Sequence, residues 1–128
     1  MYSHNMVGSN DIDKSKKFYD STFKAMGADE AIKDDKGRLI YMHNESMFLV
    51  TPPIDGQPAT AGNGCTIGFA MDNPEQANAW HVAGVANGGT AVEDDPGIRS
   101  GAFGDLYLAY LRDPDGNKLC ALHRLPDE

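Results

Sequence analysis

A sharp turn near the C-terminal end of the chain constrains its fold more than any other segment. In the run Asp-Pro-Asp-Gly-Asn, Pro114 fixes φ at the second turn position, and Gly116 can adopt the left-handed backbone that reverses the chain. Asp113 can accept hydrogen bonds from the main chain of the turn. The flanking segments, residues 105–111 and 117–123, are rich in residues that suit a half-buried strand. The sequence therefore predicts a β-hairpin here.

The first half of the chain predicts one strand, one helix and three more strands. The first strand is predicted at residues 2–8, and the helix at residues 11–26, where apolar side chains recur at helical spacing. Asn10 is the predicted N-cap, and Gly27 ends the helix. The remaining strands are predicted at residues 30–33, 38–43 and 46–51.

The second half repeats this order after a linker at residues 52–63, whose prolines and glycines cannot sustain a helix or a paired central strand. Asn73 and Pro74 predict the start of its helix, which runs to about Ala86. The predicted strands lie at residues 65–71, 90–93, 105–112 and 117–123, with a loop at 94–104. This predicts an α+β fold of two βαβββ modules, residues 1–51 and 64–128, forming a curved, funnel-like mixed sheet with the helices outside.

Composition limits the kinds of partner. The 128 residues are 41% apolar, which is enough for one core, so residues 1–128 are predicted to form a single domain. The formal net charge of −8 repels polyanions, and we expect no nucleic-acid partner. No apolar run approaches the ~20 residues that span a bilayer. We therefore expect a cytoplasmic protein that does not enter the membrane, with its two cysteines reduced.

Segments at both ends of the chain carry a family resemblance. The Asp-Pro-Asp-Gly-Asn turn and the strand after it resemble the last hairpin of the glyoxalase, bleomycin-resistance and extradiol-dioxygenase superfamily, also called the vicinal oxygen chelate family. Residues 2–8 and 11–20, with the pair Phe18-Tyr19, resemble the family's opening strand, acidic turn and helix. The resemblance covers nearly the whole chain. It implies that a small molecule binds in the funnel between the two modules.

The same resemblance implies where metal ligands would lie. The family's first-strand histidine falls on His4, its fifth-strand histidine on Thr66 and its last-strand acid on Cys120, while the fourth-strand position falls within residues 48–51. His4 alone matches in type and is the one candidate metal ligand. A divalent ion with an open position for substrate needs three or more suitable ligands, so the usual set is incomplete. His4 is also a candidate general base, because its reference pKa near ~6.5 suits proton abstraction.

Further residues are expected to line the funnel. Tyr107 is the second candidate catalytic residue, with its hydroxyl expected in the cavity. Arg99, in a loop expected at the mouth, can hold a carboxylate or phosphate; a solvated loop arginine is the alternative. Cys120 is expected to be a buried, inert thiol. The other predicted substrate-binding residues are Met6, Tyr41, Phe48, Thr66 and Phe103.

The sequence leaves three functions open. The resemblance implies an enzyme of the lactoylglutathione lyase type, in which a metal chelates vicinal oxygens while a base moves a proton. The missing ligands favour instead a metal-free protein that binds a small molecule without chemistry, as bleomycin-resistance proteins do. An extradiol dioxygenase is the third possibility, because its iron needs two histidines and a carboxylate on one face, and two of these three ligands are absent. We also expect a homodimer, since relatives pair modules across subunits and open sheet edges need covering.

Overall fold

The computed structural model describes residues 1–126 and confirms the α+β class, with two helices and two mixed sheets. The elements of the first module are β1 (His4–Gly8), α1 (Ile12–Lys24), β2 (Ile32–Lys33), β3 (Leu39–His43) and β4 (Ser46–Thr51). The elements of the second module are β5 (Ile67–Ala70), α2 (Pro74–Ala86), β6 (Thr90–Ala91), β7 (Gly97–Gly101), β8 (Gly104–Arg112) and β9 (Lys118–Arg124). No helix in the described part of the chain is long and apolar enough to cross a membrane.

The strands form two separate mixed sheets with the same order. The first sheet runs β1-β4-β3-β2 and the second β5-β9-β8-β6, and in each the first strand pairs in parallel with the last strand of its module. The predicted loop at residues 94–104 is wrong in part, because it contains β7, which pairs with β8. The glycines and serine of this segment are typical of a loop. It forms a strand because its main chain pairs with β8.

Side chains on each sheet alternate between a helix-covered face and a face without a helix, which we call the open face. The helix-covered faces share one core, in which aromatic rings connect the modules. Phe69 on β5 lies 5.1 Å from Phe23 on α1 and 5.4 Å from Phe48 on β4, measured between ring centroids. Trp80 on α2 lies 6.4 Å behind Phe69. The two sheets are therefore fixed relative to each other by packing.

The turn between β8 and β9 also joins the modules. Asp115 accepts hydrogen bonds from the main-chain N–H of Asn10 (2.8 Å) and from the hydroxyl of Ser15 (3.2 Å). The Asn117 amide donates to the carbonyl of Gly8 (3.2 Å). All three partners belong to the first module. The hairpin predicted from sequence therefore fastens the start of α1 to the second sheet.

Asn10 does not cap α1 as predicted. Asp11 is the N-cap, and its carboxylate accepts from the main-chain N–H of Lys14 (3.2 Å). The Asn10 side chain binds the linker instead, donating to the carbonyl of Ala59 and accepting from its N–H (3.1 and 2.7 Å). Asn73 caps α2 as predicted.

Glu45 occupies a backbone conformation that glycine prefers. The β3–β4 hairpin turns on Asn44 and Glu45, whose φ values are 49° and 65°. Asparagine tolerates this conformation, whereas a glutamate side chain crowds the following carbonyl. We expect Glu45→Gly to raise the free energy of unfolding by about 1 kcal/mol, measured by urea denaturation. The control is Glu75→Gly, in the first turn of α2, which we expect to be destabilising; a loss of stability in Glu45→Gly would contradict the strain argument.

Candidate functional site

The open faces carry four of the predicted site residues. On the first sheet, His4 pairs across the ladder with Met47, and Met6 pairs with Leu49, so all four side chains share this face. On the second sheet, Cys120 pairs with Tyr110, and Arg99 pairs with Leu106. Leu106 and Tyr110 are four residues apart on β8, so their side chains lie on the same face. The strand register thus brings His4 and Met6 to one open face, and Arg99 and Cys120 to the other.

The donor groups on these faces do not fit a tightly bound divalent metal. His4 is exposed, and its Nδ1 lies 2.7 Å from the hydroxyl of Ser3. Two of the other family positions hold a threonine and a buried cysteine, Thr66 and Cys120, and the remaining one falls within residues 48–51, which contain no histidine, cysteine or acid. Within residues 1–126, no three His, Cys, Asp or Glu side chains lie close enough together to hold an ion. We therefore derive no chemical step through a metal.

Cys120 lies in a polar cluster that sequence reasoning did not identify. Lys118 forms an ion pair with Glu93, and its ammonium group lies 4.9 Å from the ring centroid of Tyr110. Burial raises the pKa of the Cys120 thiol, and a hydrogen bond from Tyr110 only partly opposes this effect. The thiol therefore stays protonated near neutral pH and is a poor nucleophile. Strand alternation predicts that Lys118 lies on the same face as Cys120, whereas nothing in the sequence indicated that Glu93 would lie beside them.

Arg99 belongs to β7 and not to a loop. Its guanidinium donates to the main-chain carbonyls of Asp94 (3.2 Å) and Asp95 (3.1 Å). Within the described residues it makes no ion pair with a carboxylate, so its charge is not neutralised by direct contact. The guanidinium could therefore still attract an anionic group on the open face.

Tyr107, Tyr41 and Phe48, which were predicted to line the funnel, lie on the helix-covered faces of the sheets. The Tyr107 hydroxyl donates to Asn78 on α2 (2.7 Å), so its side chain lies on the helix-covered face. Tyr41 is buried and donates to Asp20 on α1 (2.7 Å). Phe48 packs 5.0 Å from Tyr19. Both faces of the first sheet carry large apolar residues, so alternation could not reveal which face α1 covers.

Phe103 and Thr66 lie outside the strands that carry the other predicted site residues. Phe103 is exposed in the turn before β8, where its carbonyl accepts from Arg124. Thr66 precedes β5 and lines a cavity of about 580 Å³ between β1 and β5, which we call the seam cavity. Met6, Cys65 and Lys118 also line it. Two predicted substrate-binding residues, Met6 and Thr66, therefore meet where the two modules adjoin.

Comparison with known proteins settles the family. The model of the Glyoxalase/Bleomycin resistance protein/Dioxygenase superfamily matches residues 2–121. The chain belongs to this superfamily. A solved structure of a glyoxalase/bleomycin resistance protein from Albidiferax ferrireducens T118 is 56% identical, with a TM-score of 0.94, over 97% of this chain and 99% of that one. No curated protein matches the chain.

More distant superfamily structures share the fold. A family enzyme from Burkholderia phytofirmans PsJN is 19% identical, with a TM-score of 0.73, over 96% of this chain and 98% of that one. A lactoylglutathione lyase from Agrobacterium tumefaciens is 18% identical, with a TM-score of 0.64, over 94% of this chain and 91% of that one. At such identities the likeness concerns the fold alone.

Proposed function

We propose that this superfamily member binds a small organic molecule between its two modules without metal-dependent catalysis. The seam cavity carries the proposal, because it places Met6 and Thr66 together in a space of about 580 Å³, within the usual size range of ligand pockets. Its wall combines apolar residues, such as Met6 and Ile67, with the polar residues Thr66 and Asn117. Such a surface can orient a ligand by a few polar contacts.

The donor set favours binding over lyase or dioxygenase chemistry. Both reactions require several metal ligands on one surface, and of His4, Thr66 and Cys120 only His4 is of a matching type. His4 does not line the seam cavity, but it shares the open face with Met6, which does, so its exposed imidazole remains a candidate for contact with the ligand or for proton transfer. A lyase is the alternative function, and metal content distinguishes it from a binding protein.

The first test concerns metal content and the roles of His4 and Cys120. Protein purified without chelator or affinity tag is expected to contain much less than one equivalent of zinc, nickel or iron by elemental analysis. We expect His4→Ala to change ligand affinity or activity. Cys120→Ala should mainly lower stability, by about 1–2 kcal/mol, because it removes a buried side chain. Stoichiometric metal that is lost equally from both variants would restore the lyase.

The second test blocks the seam cavity. Thr66 is exposed, so Thr66→Trp can place a large ring in the cavity without displacing the core. Small molecules that raise the melting temperature of the natural chain are expected to lose this effect in Thr66→Trp. The matched control is Thr90→Trp, the same change on exposed β6. Equal responses of the two variants would place the ligand elsewhere and contradict the proposal.

We also propose a homodimer that covers the open face of the first sheet. Met6, Ile32 and Met42 are 41%, 59% and 60% exposed on this face, so large apolar side chains are left uncovered on one surface of the four-stranded sheet. Light scattering at micromolar concentration is expected to give twice the mass of the chain. Met42→Glu should shift the protein towards monomer, whereas Val82→Glu, on exposed α2, should not. A monomeric natural chain would contradict this proposal.

A further inference from the structure

A second cavity lies on the helix-covered side of the first sheet. It has a volume of about 290 Å³ and is bounded by the C-terminal end of α1, the β3–β4 hairpin and β5; we call it the hairpin cavity. Four aromatic side chains contribute to its wall, namely Phe23, Tyr41, Phe48 and Phe69. Ile67 lines both this cavity and the seam cavity, but the remaining wall residues differ.

The cavity follows from a difference between the two modules. In the second module, the turn at residues 113–117 extends to the first module, where Asp115 and Asn117 contact Asn10 and Gly8. In the first module, only Asn44 and Glu45 connect β3 to β4. This shorter turn lines the cavity with Asn44 and leaves the space beside β5 unfilled. The cavity is therefore a consequence of the short turn between β3 and β4.

The chemistry of the wall restricts what can bind. No Asp, Glu, Lys or Arg within the described residues lines the hairpin cavity, so, apart from the His43 imidazole, its wall offers no counter-charge to offset the hydration that a charged ligand would lose. Polar side chains are present on Asn5, His43 and Ser46. Gly68 contributes main-chain atoms of β5, an edge strand whose outer main-chain groups have no partner strand in the described part of the chain. A hydrogen-bonding group on the ligand can therefore be satisfied.

We propose that the hairpin cavity is a second binding site, which takes a compact, uncharged aromatic molecule with one hydrogen-bonding group. Its volume of about 290 Å³ is roughly twice the ~150 Å³ of an apolar cavity that accepts benzene, so a fused bicyclic ring fits. Aromatic walls favour edge-to-face contacts with such a ring. This site is separate from the proposed seam site and is expected to fill independently of it.

Indole is the probe for the experiment, with indole-3-carboxylate as its charged counterpart. Isothermal titration calorimetry is expected to detect one indole per chain and an affinity for the carboxylate at least about tenfold lower, because no lysine or arginine within the described residues lines the cavity to pair with the carboxylate. Amide resonances of residues 67–70 are expected to shift with indole in nuclear magnetic resonance spectra. This mapping uses the natural chain and does not depend on any variant folding. Equal binding of both compounds, or no binding of indole, would overturn the proposal.

Variants locate the probe. Ser46 is exposed beside the cavity, and Ser46→Phe introduces a ring able to occupy it, so indole affinity should fall about tenfold or more. Met42→Phe adds a ring to the same hairpin on the open face and should leave indole affinity unchanged. Thr66→Trp, which fills the seam cavity, should also leave it unchanged. Loss of indole binding in Thr66→Trp but not in Ser46→Phe would assign indole to the seam cavity and contradict the second site.

Discussion

Replacement of Asp113 by alanine is expected to lower the free energy of unfolding by about 4 kcal/mol, more than any other substitution proposed for this protein. Asp113 is 4% exposed, and its carboxylate accepts four hydrogen bonds. Two of them come from the Tyr19 hydroxyl (2.6 Å) and the Asn117 amide (2.9 Å). The others come from the main-chain N–H groups of Asp115 and Asn117, both at 2.9 Å. Alanine would leave the buried Tyr19 hydroxyl and the turn without this acceptor.

The same substitution should weaken the contacts that the turn at residues 113–117 makes with the first module. Burial raises the pKa of Asp113, and its four hydrogen-bond donors oppose that rise by stabilising the ionised carboxylate. Urea denaturation measures the loss of stability. Tyr19→Phe is the control, because it removes one donor and leaves the turn intact, at an expected cost of about 1 kcal/mol. A loss in Asp113→Ala no larger than in Tyr19→Phe would mean that the turn does not depend on the carboxylate.

Replacement of Gly84 by valine is expected to cost about 3 kcal/mol of stability, because the two helices and β8 meet there without room for a side chain. A Cβ atom at residue 84 would lie 2.3 Å from Cδ1 of Leu111, and 3.1 and 3.3 Å from side-chain atoms of Phe18 and Thr22. All three neighbours are fully buried and cannot turn towards solvent. Thermal or urea denaturation measures the effect.

Gly68→Val is the matched control for this prediction. A Cβ atom at residue 68 would meet nothing within 4 Å, and valine suits a strand. We therefore expect a change in the free energy of unfolding within about 0.5 kcal/mol. Equal effects at residues 68 and 84 would show that loss of glycine itself, and not the contact between α1, α2 and β8, determines stability.

Local patterns in the sequence were sufficient for most elements. The strand predicted at residues 46–51 has the observed bounds of β4, and Asn73 and Pro74 begin α2 as expected. These signals depend on near neighbours in the chain, such as alternation, capping and turn residues. The segment of β7 lacked them, because its main-chain hydrogen bonds depend on β8.

The candidate site was less predictable, because it depends on which sheet face a helix covers. His4 and Met6 share one face, as strand alternation predicts, whereas Tyr41, Phe48 and Tyr107, predicted to line the funnel, lie on the helix-covered faces. Apolar residues such as Tyr41 and Met42 occur at adjacent positions of β3, so both faces appear suitable for a core. Packing of α1 against β4 decides between them.

The sequence by itself determined the family, the α+β class and the small number of metal-ligating residue types at the family's ligand positions, because each depends on residue type at a fixed position along the chain. Tertiary structure alone decided that Met6 and Thr66 meet in a cavity, that Lys118 and Glu93 pair beside Cys120, and that a short hairpin leaves a space beside β5. These features join segments far apart in sequence. Their geometry depends on how two helices pack against two sheets, which no local pattern encodes.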